Sequence, residues 1–302
     1  MSKITPHLWF DNQAVEAAEF YAKTFPDSKI TNVSTIKDTP SGDCDVVSFD
    51  LLGQPFQAIS AGPHFKFTPA ISFLVRCATR EQVDALWAEL SQGGEALMPL
   101  DTYAFSERYG WTTDRYGLSW QVMQDTRGEI DQAIVPTLMF VGDVCGKAEE
   151  AAEHYASVFP QSSVDHVMRY GEGEEPDQPG TVRHLYLSLE GYKIAAMDSA
   201  REHDFGFNEA ISLMVSCETQ DEIDRYWDGL TAVPESEQCG WLKDRFGVSW
   251  QIVPTDMDAM LERGTQEQID RVTQAFLQMK KFDIAELRRA FEGEDARVGG
   301  QA

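Results

Sequence analysis

The chain contains itself twice. DRYGLSWQ at residues 114–121 returns as DRFGVSWQ at residues 244–251, and ITPHLWF (Ile4–Phe10) returns as IVPTLMF (Ile134–Phe140). Between these ends AAEFYAKTFPDS (17–28) matches AAEHYASVFPQS (151–162), FDLLG (49–53) matches LSLEG (187–191), and AISFLVRCATREQVDALW (70–87) matches AISLMVSCETQDEIDRYW (210–227). Self-similarity in fixed order over such lengths means two homologous units. The second copy carries a short insertion at 142–147 and has lost about ten residues between Trp227 and Gly240. The expected division is residues 1–127, residues 131–255 and a C-terminal extension over 256–302.

Within a copy the periodicity alternates. ITPHLWF has period two and reads as a strand. NQAVEAAEFYAKTF places Val15, Ala18, Phe20 or Tyr21, and Phe25 at helical spacing, and Phe-Pro closes the helix. Short strands follow over 29–36, 45–52 and 55–60, with Gly53 in the last turn. The pattern then restarts with the strand AISFLVRC, a helix capped by Thr79 and stopped by Gly93 and Gly94, and strands ending in GLSWQVM. Each copy is thus a doubled β-α-β-β-β unit. In its last strand Trp120 and Val122 share one face, while Ser119, Gln121 and Met123 share the other. In the first strand Ile4, Leu8 and Phe10 form the apolar face, leaving His7 opposite with Thr5 and Trp9.

After Val253 the sequence reads as two or three amphipathic helices. Ile269, Val272, Phe276 and Met279 form one stripe, and Ile284, Leu287 and Phe291 another. They are expected to cap the second domain. The last residues, ARVGGQA, read as frayed.

Hydrophobic residues make up 42% of the 302, enough to build folded cores, and the formal net charge is -25. That charge repels nucleic acid and anionic membrane, whose binders depend on clustered Lys and Arg, so neither is expected as a partner. No apolar run nears the roughly 20 residues that span a bilayer, and the N-terminus shows no signal-peptide core. A cytoplasmic location is expected. The five cysteines form no C-x-x-C pair and suit a reducing compartment; Cys77 and Cys217 occupy equivalent, apolar-flanked strand positions and are expected to be buried.

The I-T-P-x-L-x-F opening, the Phe-Pro after the first helix and the closing G-W-x-x-D-[RK]-[FY]-G-[VL]-S-W-Q form a specific combination. CGWLKDRFGVSWQIVP (239–254) and LMPLDTYAFSERYGWTTDRYGLSWQVM (97–123) carry it most fully. In these features the chain resembles the PhnB-like branch of the vicinal-oxygen-chelate superfamily, which includes glyoxalase I, extradiol dioxygenases and bleomycin-resistance proteins. The resemblance covers about residues 3–290. It implies an α+β fold of two tandem glyoxalase/bleomycin-resistance-like domains, each of paired β-α-β-β-β units with eight or so strands in a curved sheet, plus a C-terminal helical cap. It also implies a pseudo-dimer within the chain, with room for a homodimer.

Members of this branch often carry the label of a 3-demethylubiquinone 3-methyltransferase. An S-adenosylmethionine site of the Rossmann type needs a Gly-rich turn from a strand into a helix, and no such G-x-G stretch is present. In the superfamily's metalloenzymes a divalent metal takes ligands from the first and last strands of the units. By position these are His7 and Thr137 on the first strands and Gln121 and Gln251 on the closing strands. The middle positions fall on Gln57 or Ala58 with Ala70 or Ser72, and on Ala195 or Ala196 with Ala210 or Ser212. First-row metal sites collect several His, Cys or carboxylate groups, so no metal is expected. If one binds, His7 and Gln121 in the first domain are the ligands.

The expected cleft residues are His7, Trp9, Gln57, His64, Tyr103, Trp111, Gln121 and Gln251. The last two read as hydrogen-bonding floor residues, with sheet-internal bonding as the alternative. Asp114 and Asp244, each followed by Arg, read as turn-stabilising pairs. The function expected is small-molecule binding in an aromatic-lined cleft without metal. A metal-dependent lyase, isomerase or dioxygenase acting in the first domain is the alternative. The catalytic residues are open, and a single functional cleft is expected to belong to copy one.

Overall fold

The computed structural model describes residues 3–39 and 41–294; the reading of ARVGGQA as frayed falls outside them. Copy one runs β1 (Ile4–Phe10), α1 (Ala14–Thr24), β2 (Lys29–Thr39), β3 (Gly42–Leu51), β4 (Gln54–Ser60), then β5 (Ile71–Cys77), α2 (Arg80–Leu90), β6 (Ala96–Tyr103), β7 (Ser106–Thr113) and β8 (Ser119–Gln124). Copy two repeats this as β9 (Ile134–Phe140), α3 (Ala148–Val158), β10 (Ser163–Arg169), β11 (Val182–Leu189), β12 (Tyr192–Asp198), then β13 (Ile211–Cys217), α4 (Gln220–Leu230), β14 (Trp241–Lys243) and β15 (Ser249–Pro254). Three helices end the chain, α5 (Thr255–Arg263), α6 (Gln266–Phe276) and α7 (Ile284–Glu292). Among the described residues no helix is long and apolar enough to cross a membrane.

The strands pair across the copies. One sheet, here sheet A, has the order β14-β15-β13-β1-β4-β3-β2, and sheet B has β10-β11-β12-β9-β5-β8-β7-β6. Each joins the first half of one copy to the second half of the other. The seams are antiparallel, β1 on β13 and β5 on β9. The side chains on the helix side do the reverse and hold each copy to itself. In copy one the Tyr21 hydroxyl on α1 donates to Asp114 Oδ2 at 2.7 Å, Trp120 Nε1 donates to the same oxygen at 2.9 Å, and the amides of Tyr116 and Leu118 donate to Oδ1. Copy two repeats this network with Tyr155, Trp250, Phe246, Val248 and Asp244. The Asp of each DR[YF]G turn thus stabilises its turn, but its partners are Tyr and Trp rather than the adjacent Arg. Arg115 lies over the Phe20 ring and Arg245 over the Phe246 ring.

Alternation set in the strands carries the apolar faces into one core. Ile4, Leu8, Phe10, Trp120, Val122, Trp250 and Ile252 are all buried there. Cys77 and Cys217 are also buried, and burial pushes both thiols up to about 12.

Sheet A has seven strands to sheet B's eight because the ten lost residues remove the counterpart of β6. The chain after α6 takes that place. The amides of Cys239 and Gly240 donate to the carbonyls of Met279 and Lys280 at 2.8 Å. Phe282 and Ile284 anchor the segment in the core, and Gln220 at the start of α4 bonds the backbone of both. The C-terminal helices therefore seal the edge of sheet A, while β6 leaves sheet B an open one.

Candidate functional site

The face of each sheet turned away from the helices carries four homologous positions in a row. On sheet A these are Gln57 on β4, His7 on β1, Ser212 on β13 and Gln251 on β15. His7 is the register partner of both Gln57 and Ser212, and Gln251 Nε2 donates to Ser212 Oγ at 2.9 Å. On sheet B the corresponding residues are Ala195, Thr137, Ser72 and Gln121. Thr137 is the register partner of Ala195 and Ser72, and Gln121 Nε2 donates to Ser72 Oγ at 2.8 Å.

The expected site residues therefore divide. His7, Trp9, Gln57, His64 and Gln251 belong to sheet A and its adjoining loop, whereas Tyr103, Trp111 and Gln121 belong to sheet B. His7 and Gln121, the pair expected to hold any metal, lie on different sheets, because β1 zips to β13 and β5 to β9. Each face combines strands of both copies, so neither is built from copy one alone.

The two faces differ in chemistry. On sheet B the row is crowded by the chain's own side chains. Leu74, Tyr109, Met123, Val135 and Ala195 form an apolar cluster with Met98, Tyr103, Trp111 and Tyr186 against it. The Tyr109 hydroxyl donates to Gln121 Oε1 at 2.7 Å, and Trp111 Nε1 donates to Ser119 Oγ at 2.8 Å. Tyr103 and Phe105 pack on the Tyr109 ring. A shallow depression of about 220 Å³ at the edge of this face is lined by Tyr103, Phe105, Gln124 and Arg127, and by no residue of the row.

On sheet A the residue in Tyr109's place is Cys239, in Ala195's place Gln57 and in Tyr186's place Ser48. Among the described residues none donates to Gln251 Oε1, and the one side-chain hydrogen bond of Gln57 is a long one, Nε2 to Ser48 Oγ at 3.5 Å. His7 is 3% exposed, and among the described residues its Nδ1 has no partner. Burial lowers its pKa to about 3, so the imidazole is neutral at physiological pH. The rings beside it come from Trp241, edge-on at 5.3 Å, and Trp9, 6.0 Å from Trp241. Trp9 is fixed by its Nε1 bond to the Gly62 carbonyl at 2.8 Å and by Phe65, whose ring lies 5.1 Å away. His64 is exposed at the rim. Sequence reasoning missed Trp241 as a member of this site and named Ser212 only as one of two alternatives for a middle position of copy two. The signal was available, since Trp241 aligns with Trp111 and Ser212 with Ser72.

Neither row fits a divalent metal. Sheet A offers one imidazole, two amides and a hydroxyl, and sheet B one amide and two hydroxyls, with no carboxylate or thiolate in either. Among the described residues no three His, Cys, Asp or Glu side chains come together.

Comparison with known proteins places this architecture. The PhnB protein from Bacillus cereus is 38% identical; it aligns over its whole length with 41% of this chain, at a TM-score of 0.39. Glyoxalase I from Zea mays, at 9% identity, covers 86% of this chain and 95% of its own with a TM-score of 0.54, a likeness of fold. None of the curated proteins matches. One family model, 3-demethylubiquinone-9 3-methyltransferase, matches twice, over residues 2–123 and 132–253. With both copies matched, the chain belongs to this PhnB-like family, as a tandem pair within one chain.

Proposed function

We propose that the protein binds a small molecule on the face of sheet A turned away from the helices, against His7, Trp9, Gln57, Trp241 and Gln251, without a metal. The observation that carries this reading is the unpartnered Nδ1 of His7. A buried polar atom without a partner costs about 1–3 kcal/mol, and a ligand or a water it displaces is the ordinary way to recover that cost. Thr137 Oγ1, at the same place on sheet B, also lacks a partner among the described residues, but it shares its face with Val135, Ala195 and Leu74, and Tyr109 already fills Gln121's acceptor. One polar face and one self-filled face support one ligand per chain.

The family's name speaks of methyl transfer. No G-x-G turn here joins a strand to a helix, and both sheets are mixed rather than doubly wound, so an S-adenosylmethionine site of the Rossmann type has no scaffold in this chain.

The test is elemental analysis of untagged protein, before and after soaking with zinc, manganese, nickel and iron(II), followed by a thermal-shift screen of small molecules. The expected outcome is no stoichiometric metal, and ligands whose stabilisation disappears in His7→Phe. A stoichiometric metal lost on His7→Ala would replace this reading with a metal-dependent lyase, isomerase or dioxygenase.

A further inference from the structure

Trp241 and Trp111 hold the same place in the two copies, yet their indoles are engaged differently. On sheet B, Trp111 Nε1 donates to Ser119 Oγ at 2.8 Å. The register that permits this bond is repeated on sheet A, where Trp241 faces Gln251 and Lys243 faces Ser249, just as Trp111 faces Gln121 and Thr113 faces Ser119. Among the described residues, however, Trp241 Nε1 has no acceptor and Ser249 Oγ no donor. The Trp241 ring lies instead edge-on to His7 at 5.3 Å and 6.0 Å from Trp9. The neighbours account for the difference. On sheet B, Tyr109 fills the face and Met139 stands where Trp9 does, whereas on sheet A Cys239 takes Tyr109's place and leaves room beside His7.

The backbone around Trp241 is tied down on both sides. The amides of Cys239 and Gly240 donate to the carbonyls of Met279 and Lys280, and Lys243 is paired with Glu209 at 2.5 Å. The freedom left to this residue is rotation of its half-buried side chain between staggered positions. His7, by contrast, is 3% exposed, so the imidazole on which the proposed site depends is closed to solvent in this arrangement. Trp9 is pinned by its bond to the Gly62 carbonyl, and Trp241, the ring in contact with His7, is not pinned.

Resting on the ligand site proposed above, we infer that Trp241 is a lid on His7 with two positions: closed, as seen here, and open, with its indole N–H on Ser249 Oγ, the bond Trp111 already makes on sheet B. The experiment needs no ligand. Diethyl pyrocarbonate, which acylates unprotonated imidazole, is applied to the full chain at neutral pH, and the rate of His7 labelling is read by peptide mass spectrometry with the exposed His64 as reference. Trp241→Ala is expected to label His7 at least about tenfold faster than the wild type, because the open form of such an equilibrium is a minority. Ser249→Ala is expected to label it about fivefold slower, because the open position loses one neutral hydrogen bond. Both variants are verified as folded by circular dichroism, and Ser249→Ala, the smaller change, carries the test if Trp241→Ala does not fold. Unchanged labelling in Trp241→Ala would show that another group covers His7, and unchanged or faster labelling in Ser249→Ala would show that the indole does not turn to that acceptor. Either result overturns the lid and leaves the ligand site standing. The expected labelling pattern in a protein that no small molecule stabilises would remove the site and leave the lid.

Discussion

At the scale of single residues, a buried titratable side chain serves different ends on the two sides of the sheets. Asp114 lies on the helix side, where burial raises its carboxyl pKa while donors from Tyr21, Trp120 and two amides pull it down. Asp114→Ala leaves two buried side-chain donors and two amides without their acceptor, and urea unfolding is expected to show a loss of about 3–5 kcal/mol. Arg115→Ala removes only a half-exposed ring contact and is expected to cost under about 1 kcal/mol. His7 lies on the opposite side, and its effect is one of pH. Its pKa falls from 6.5 in the unfolded chain to about 3 in the folded one, so the unfolded state binds the extra proton between those values. The stability that the neutral imidazole contributes is complete above about pH 6.5 and is lost progressively as pH falls toward about 3. His184, lowered to about 4 by burial and by Arg127, adds a loss of the same sign. Unfolding midpoints measured from pH 7 to 4.5 are expected to fall less in His7→Gln than in the wild type, the difference reaching about 2–3 kcal/mol at the acid end. Equal slopes would show that His7 is solvated in the folded state.

At the scale of elements, alternation in ITPHLWF and GLSWQVM was enough to place His7 and Gln121 opposite the core, because a strand of period two has only two sides. The Phe-Pro stops and the Thr79 cap were equally legible, the latter forming a reciprocal box with Gln82. Strand partnership was not legible. β1 and β5 open with similar apolar runs, and hydrogen-bonding edges carry no sequence mark that says which copy's strand will occupy them. The shortened loop before Gly240 was visible as a deletion, but its replacement by the segment after α6 was not, since the strand-like contact joins backbone atoms of residues about forty apart, which carry no sequence mark. Gly240 marks the junction. It has φ +81°, and a Cβ there would meet Phe282 at 2.4 Å and the Ile252 carbonyl at 2.9 Å. Gly247, at φ +92°, has only the Cβ of Phe207 at 3.8 Å. Gly247→Ala therefore tests backbone strain alone and is expected to cost about 1 kcal/mol, whereas Gly240→Ala adds displacement of the C-terminal segment and is expected to cost about 3 kcal/mol or more. Limited proteolysis of Gly240→Ala should release α6 and α7 first; equal costs at the two glycines would mean the segment does not depend on that contact.

At the scale of the whole molecule, two kinds of bonding run in different directions. Backbone ladders tie β1–β4 to β13–β15 and β9–β12 to β5–β8, whereas the helix-side networks around Asp114 and Asp244 tie each copy to itself. Cutting the chain between the copies separates neither set cleanly. A fragment of residues 1–127 keeps its Tyr21–Asp114–Trp120 network but exposes the edges of β1 and β5 that β13 and β9 cover in the intact chain. Exposed edges of buried-type strands seek a partner, and the first and second halves of the two copies are homologous, so a second fragment can supply β5 to β1 and β1 to β5. Fragment 1–127 is therefore expected to form a symmetric dimer in which sheet A and sheet B become equivalent, each joining a His7 to the Gln121 of the other fragment. Light scattering on the purified fragment checks the mass, and the chemistry supplies a second readout. In that dimer His7 and Ser72 would be register partners, as His7 and Ser212 are here, and Tyr109 would meet the acceptor of a Gln that shares its row with a histidine. The tandem chain would then differ from its own half in having one face freed of Tyr109 and the other filled by it. A fragment that remains a folded monomer would show that β1 and β5 can pair within one copy, and the crossing of the copies would be a consequence of the linker at residues 125–133 rather than of the strands.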